Sequence, residues 1–423
     1  MVQNIVATCL EGKSLERSEA YRLASARADE LEALLGAASK LRDRSKGNTV
    51  TFSPKIFVPL TNLCRDFCGY CTFRKAPGEP GAKTMSLDEV LRIAGRGKLV
   101  GCTEVLMSLG DKPEAIYPEM KSFLTRSGYK RTLDYLFDAC KAVLEETGLL
   151  PHSNPGLMGR RDLRRLKQVN ASLGLMLESM SGRLLLPSGP HFNAPDKKPL
   201  LRLKTIEEAG KLRVPFTTGI LIGIGESWEE RVDALFAIRE THLRYGHIQE
   251  VIVQNFRAKP EIPMRNHPEP TLEELVKTIA LARLILGGEM NIQAPPNLTP
   301  ESYPMLLQAG INDWGGVSPL TPDYINPEAP WPALAALKQK SAEAGFTLKA
   351  RLPIYPEYIS RSEEFVAPSV IPHLERLCGE DGLVKNGGPL AMIPAERVNR
   401  AREVHGATRQ LQPEAPDSSA ASR

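Results

Sequence analysis

No apolar run in this chain of 423 residues approaches the roughly 18 residues that cross a bilayer. Nor does it open with a basic segment, an apolar stretch and a small-residue cleavage site. Membrane insertion and secretion are therefore not expected, and neither is a membrane partner. Charge of one sign is also missing. With 54 Lys+Arg against 50 Asp+Glu, the formal charge of +4 gives no basic field that would draw nucleic acid. Cysteine is scarce: there are seven, and Cys9, Cys102, Cys140 and Cys378 stand singly. No disulfide framework is expected, and a reducing, cytoplasmic setting is. With 42% hydrophobic residues the chain can bury the core of one large domain or two ordinary ones.

The remaining three cysteines fall in one stretch, Pro59-Leu-Thr-Asn-Leu-Cys-Arg-Asp-Phe-Cys-Gly-Tyr-Cys-Thr-Phe-Arg74. Thiolates at Cys64, Cys68 and Cys71 can ligate three irons of one 4Fe–4S cluster and leave the fourth iron without a protein ligand. An electron-transfer cluster is normally closed by a fourth cysteine, so the open iron points to chemistry at the cluster. The alternatives are a zinc site, for which no nearby His or Cys completes the ligand set, and three incidental core cysteines. The stretch resembles the cysteine loop of radical S-adenosylmethionine (SAM) enzymes. That resemblance implies two cofactors, a 4Fe–4S cluster and SAM chelated to its open iron through amino and carboxylate groups. It also implies an external low-potential reductant, and it lays Tyr70 against the adenine.

Around this loop, short apolar runs alternate with helical segments. Strands are expected at Lys55–Pro59, Glu104–Leu109, Leu149–His152, Leu173–Leu177, Phe216–Ile222, Glu250–Val253, Met290–Gln293 and Ile311–Trp314. Four hydroxyl-x-x-Glu patterns, Ser86–Glu89, Thr205–Glu208, Ser227–Glu230 and Thr271–Glu274, read as capping boxes that start helices. Eight strand–helix units imply an α/β fold with a parallel sheet, here a TIM-type (β/α)8 barrel, with a six-unit open barrel as the runner-up. The expected division is a helical extension over 1–50, the barrel over 51–360, a C-terminal appendage over 361–411 and a disordered tail over 412–423. Within the extension, Ser18–Asp43 reads as one amphipathic helix.

Barrels of this kind carry their functional groups at the C-terminal ends of strands. The second strand ends in Ser108-Leu-Gly-Asp-Lys-Pro-Glu114, where Gly110 lets backbone approach a ligand. The fourth ends at Glu178, an acidic group costly to bury without a donor. The fifth, Gly219-Ile-Leu-Ile-Gly-Ile-Gly-Glu226, is glycine-rich, and no Gly-Lys-Ser/Thr follows that would make a phosphate loop. Polar groups at other strand ends, His152, Asn154, Gln254, Asn255, Gln293, Asn297 and Asp313, are candidate substrate contacts, each with a structural alternative. Trp314 could stack on a planar substrate or lie in the core.

The fifth strand is similar to the G-x-I-x-G-x-x-E motif of radical SAM enzymes, with Gly219 and Gly223 as its glycines. The same resemblance implies that backbone near Gly110 receives the SAM ammonium, that Glu178 contacts SAM, and that Arg202 pairs with the SAM carboxylate. Met176 stands where some relatives carry a further arginine. More narrowly, Phe57–Arg74, Pro151-His-Ser-Asn-Pro-Gly156, Gly174–Ser179, Pro215–Glu226 and Asp313-Trp-Gly-Gly-Val-Ser-Pro319 resemble subunit 1 of 7,8-didemethyl-8-hydroxy-5-deazariboflavin (FO) synthase. The likeness covers roughly residues 18 to 360. It implies a lyase that closes the deazaflavin ring of coenzyme F-420 with loss of ammonia, on a hydroxybenzyl-ribitylaminouracil adduct supplied by the second FO synthase subunit. The competing readings are that second subunit itself, another radical SAM enzyme of the biotin synthase or tyrosine lyase type, and a non-enzymatic electron-transfer protein.

Overall fold

In the computed structural model, which describes residues 2–390, eight parallel strands close into a barrel. They are β1 (Thr49–Thr61), β2 (Glu104–Leu109), β3 (Leu150–Asn154), β4 (Ser172–Gly174), β5 (Phe216–Ile222), β6 (Ile248–Asn255), β7 (Ile292–Gln293) and β8 (Asp313–Val317). Closure falls to β1, which pairs with β2 through Lys55–Thr61 and with β8 through Thr51–Pro54. At least one helix follows every strand, so the eight-unit barrel holds and the six-unit alternative does not. No helix among the described residues is long and apolar enough to cross a membrane.

Three of the four capping boxes form as the sequence suggests. Ser86, Ser227 and Thr271 each accept the backbone N–H of a glutamate three residues on, and that glutamate reaches back. The Thr205 box does not form. Its helix begins six residues earlier, at Pro199, where proline suits the first helical position. Thr205 lies inside, donating to Leu201 O and Met158 O, since a mid-helix threonine satisfies itself on the preceding turn. The single helix expected over Ser18–Asp43 is two, Arg17–Ala24 and Ala28–Lys46. The break lets Arg17–Ala24 pack chiefly on the helix Trp228–Tyr245 while Ala28–Lys46 packs on Leu272–Leu286. Lys277 holds the break by donating to Ala26 O at 2.7 Å.

Along β1 the side chains alternate between two environments. Val50, Phe52, Ile56, Val58 and Leu60 enter the apolar core, whereas Thr51, Ser53 and Lys55 enter the barrel lumen. That lumen is charged, where a barrel of this type is usually filled with branched aliphatics. Lys55 Nζ lies 2.8 Å from Glu104, and Ser53 donates to the same carboxylate.

A ninth strand that the sequence reading did not anticipate, β9 (Thr347–Ala350), pairs with β1 at Thr49–Phe52, beneath the start of β2. From it the chain crosses the N-terminal mouth of the barrel as a strap, Arg351–Tyr355. Arg351 forks onto Asp313 at 2.6 and 3.0 Å and reaches Glu250 at 2.7 Å; Tyr355 donates to Glu250 at 2.9 Å. Ser172 and the Gln249 amide both donate to Pro353 O. Beyond the strap, the short helices Ser362–Phe365 and Ile371–Leu377 bury Phe365, Val370 and Leu374. The rest of the expected appendage and the expected tail, 391–423, lie outside the described residues.

Because Arg351 is shared by two buried carboxylates, Asp313 and Glu250, Arg351→Ala should cost about 3–5 kcal/mol. The urea midpoint checks this; a drop below 1 kcal/mol would show that the strap is not held by charge.

Candidate active site

A cavity of about 330 Å³ opens at the C-terminal mouth, within the range of small-molecule sites. Cys64, Cys68 and Cys71 line it, on the loop that leaves β1. The loop is anchored on several sides. Arg65 forks onto Asp196 with two bonds of 2.6 Å, Phe67 N–H donates to Asn193 O, Gly69 N–H donates to Pro190 O, and Thr72 donates to Ile325 O. Cys64 Sγ accepts the backbone N–H groups of Asp111 at 3.2 Å and Asp66 at 3.4 Å. A Cβ on Gly110 would strike Leu63 O and Cys64 Cβ, so glycine there is demanded by the approach of the cysteine loop.

The thiols suit a cluster better than a single ion. Around one tetrahedral zinc, sulfurs sit about 3.8 Å apart. Among the described residues only Asp66, Asp111 and Asp196 place ligand atoms within 4.8 Å of one another, and the cysteines do not. Burial pushes the Cys64 thiol up to about 12 and the Cys68 thiol higher, so both need a strong positive partner to ionise, as iron provides. The aspartates are already engaged. Asp196 takes Arg65, Asp66 accepts the Asp196 N–H at 3.0 Å, and Asp111 Oδ2 accepts the Leu157 N–H at 2.9 Å. Asp111 Oδ1 accepts no directed hydrogen bond, although Lys112 Nζ lies 3.1 Å away; it is a buried acceptor beside Cys64. Burial raises the Asp111 carboxyl to about 6.

Glu178 lines the same cavity. The chain leaves the β-ladder after Gly174, short of the expected Leu177, and returns at a bridge between Glu178 and Ile220. Glu178 adopts φ 69°, a left-handed conformation rare for a residue with a side chain and typical of functional sites. Burial would raise its carboxyl, but Lys197 and Arg202 outweigh that and hold it below the usual range. Lys197 Nζ donates to it, and Arg202 Nη2 lies 3.9 Å away while Nε donates to Met176 O. Tyr70 lines the cavity with its hydroxyl 3.0 Å from His191 Nε2, beside Leu221 and Phe256.

Of the residues singled out in the sequence, Cys64, Cys68, Cys71, Tyr70, Gly110, Asn154, Glu178, Arg202, Gln254 and Asn255 all line this one cavity. Others lie elsewhere. Gly219 is packed against the backbone of Ile252, and Gly223, with φ 85°, against the ring of Pro270. Asp313 is in the lumen under Arg351, and Asn297 is tied to Asp323 and Ala329 O. Gln293 packs against Gly315. Trp314 is fully buried on the outer side of β8, edge-on to Tyr303, so it cannot stack on a substrate. His152 sits below the cavity floor, bonded to Ser172 Oγ at 2.6 Å and to Asn154 Oδ1 at 3.0 Å, and burial lowers its pKa to about 4. Sequence reasoning missed Asp66, Asp111, Lys197 and Lys259. An acid directly after Gly110 at a strand end was a usable signal for Asp111; Lys197, at the end of the one-turn 3-10 helix Pro195–Lys197, gave none.

A closed parallel barrel with three thiols and both signs of charge at its C-terminal mouth defines a class, and residues 58–238 match the Radical SAM superfamily. Among solved structures, methylornithine synthase is similar in fold, with TM-score 0.65 and 20% identity over 81% of this chain and 97% of that one. So is the FeFe-hydrogenase maturase HydG from Carboxydothermus hydrogenoformans, with TM-score 0.65 and 20% identity over 95% of this chain and 93% of that one. In sequence the chain is 52% identical to the 7,8-didemethyl-8-hydroxy-5-deazariboflavin synthase of Methanopyrus kandleri, over 79% of this chain and 100% of that protein. It is 48% identical to the FO synthase of Streptomyces avermitilis over 87% of this chain, but spans only 44% of that longer protein. The chain belongs to the FO synthase family of radical SAM enzymes. That family implies a 4Fe–4S cluster and SAM.

Replacing Cys64, Cys68 or Cys71 with alanine should remove iron and the cluster's absorbance after anaerobic reconstitution, whereas replacing Cys9, Cys102, Cys140 or Cys378 should not. Full iron content in all three loop variants would refute the assignment.

Proposed function

We propose that this chain carries out the ring-closing half of FO formation, converting a hydroxybenzyl-ribitylaminouracil adduct to the deazaflavin with release of ammonia. The observation that carries this reading is the pattern of coverage. The chain accounts for the whole of the Methanopyrus kandleri synthase, yet for less than half of the Streptomyces FO synthase, and it holds a single cysteine triad. The remaining half-reaction, joining a tyrosine-derived hydroxybenzyl group to the ribitylaminouracil, is then not assigned to these residues. A low-potential reductant supplies the electron.

When bound, the cluster and SAM supply hydrogen-atom abstraction by a 5′-deoxyadenosyl radical. This chain's residues bind and orient. Asp111 Oδ1, which accepts no directed hydrogen bond, would take an ammonium beside Cys64, and Arg202 and Lys197 offer donors to a carboxylate. Glu178 accepts from hydroxyl or ammonium groups. Tyr70, Leu221 and Phe256 give an apolar wall for a purine. Phe57, Leu106 and Ile252 add lining that excludes water, and Asn154, Gln254 and Asn255 present amides to a polar heterocycle. His152 fixes the Asn154 side chain from below.

Glu178→Ala should weaken SAM binding by roughly ten- to hundredfold, the loss of one charge-assisted hydrogen bond, and leave iron content unchanged. Equilibrium dialysis with labelled SAM measures it, and wild-type affinity would make the residue structural only.

Supplied with tyrosine and ribitylaminouracil alone, the protein should make no deazaflavin. Given the adduct, or a second subunit that makes it, FO fluorescence should appear together with 5′-deoxyadenosine. If the chain by itself consumed tyrosine and released the open-ring adduct, it would be the other half of the pathway.

A further inference from the structure

We infer that Lys259 recognises the pyrimidinedione end of the ligand by donating to a ring carbonyl oxygen, and that the loop Asp323–Asn326 exists to hold it there. The inference rests on the ring-closing reading. Lys259 lies four residues beyond β6 and lines the cavity, yet its side chain is only 5% exposed. Its ammonium has one hydrogen bond, to Asn326 Oδ1 at 2.8 Å, and its nearest carboxylate, on the half-exposed Glu328, is 3.9 Å away. An ammonium has three donors, so two remain without a partner among the described residues. Burial accordingly lowers the pKa of this lysine. A purely structural role at such a site is better served by an apolar side chain of the same length, because a buried charge is costly unless it is paired.

The surrounding loop is organised around that one contact. Asp323 accepts the backbone N–H groups of Ile325 and Asn326, at 2.9 and 3.2 Å, and the side-chain amides of Asn326 and Asn297, at 3.0 and 3.1 Å. With its NH2 group committed to Asp323, Asn326 can turn only its carbonyl oxygen to Lys259. The lysine is therefore held at one side with its other donors free for the cavity, where Asn255 from the same β6 end also faces the ligand. Donors on a fixed cation select a planar acceptor with delocalised negative charge. A pyrimidinedione carbonyl is such an acceptor; the phenol oxygen of the hydroxybenzyl end is the rival within the same ligand.

The test uses the full reconstituted chain with SAM bound and two non-reacting probes. One is FO, which carries both ends; the other is 6-ribitylaminouracil, which carries only the pyrimidinedione. Lys259→Met should weaken binding of both by roughly tenfold or more, with iron content and SAM affinity unchanged, and Lys259→Arg should recover part of the loss. Equal affinity in wild type and Lys259→Met overturns the inference. So does a loss for FO alone, which would place the lysine on the phenol end, or a loss of SAM affinity, which would place it on the cofactor. If Lys259→Met does not fold, Asn326→Ala, which frees the lysine, should weaken both probes by a smaller factor; no change there also overturns it. Wild-type protein that binds neither probe would instead bring down the ring-closing reading, and this inference with it.

Discussion

Charge buried in the barrel lumen is the constraint on which the rest of the molecule depends. Lys55 and Glu104 face each other between the first two strands, and Arg351 bridges Asp313 and Glu250 across the N-terminal mouth. Each of these side chains is at least nearly nine-tenths buried, so none can be left without its partner. Desolvation offsets most of the Coulomb attraction, and what the network gains is register: a strand slipped by one residue would turn an unpaired charge into the apolar layer. The strap that carries Arg351 is drawn in by the same requirement. In this way a segment near the end of the described chain becomes the floor of a barrel laid down by residues 49–317.

The floor is connected to the site above it. Ser172 donates to the strap at Pro353 O and is bonded to His152, which in turn holds Asn154 at the cavity wall. At the opposite mouth, the Arg65–Asp196 fork and the two amides on Cys64 hold the cysteine loop. Between these lies a cavity lined by the acids Asp66 and Asp111, by Lys197 and Arg202 around Glu178, and by apolar surface. Such a division suits a ligand that is itself a zwitterion joined to a flat aromatic ring, which is what SAM is. The amides Asn154, Gln254 and Asn255 and the ammonium of Lys259, which line the same cavity, suit a second flat ligand rich in carbonyl groups.

Much of this was legible in the residues. The cysteine spacing, the strand runs and three of the capping boxes are local patterns, and local patterns survive folding when the chain nearby supplies both partners. The Thr205 pattern failed because Pro199 offered an earlier helix start. The long N-terminal helix failed because its two apolar faces serve two different barrel helices, a demand no single amphipathic stripe reveals. Asp313 and Trp314 were both at a strand end, yet one turned down to Arg351 and the other outward to Tyr303.

By itself, then, the sequence determined the α/β class, the eight-unit repeat, the three-thiol loop and the family, because each is written in contiguous residues. Tertiary structure decided which polar strand ends face the ligand and which serve the lumen. Alternation along a strand separates two faces, but depth along the barrel axis separates floor from mouth, and only closure of the sheet sets that depth. It also decided that Glu178 turns through a left-handed conformation into the cavity, and that Lys197, ending a single 3-10 turn, and Lys259, on a loop without periodicity, reach the same cavity. Those positions depend on contacts between segments more than a dozen residues apart, which no local pattern encodes.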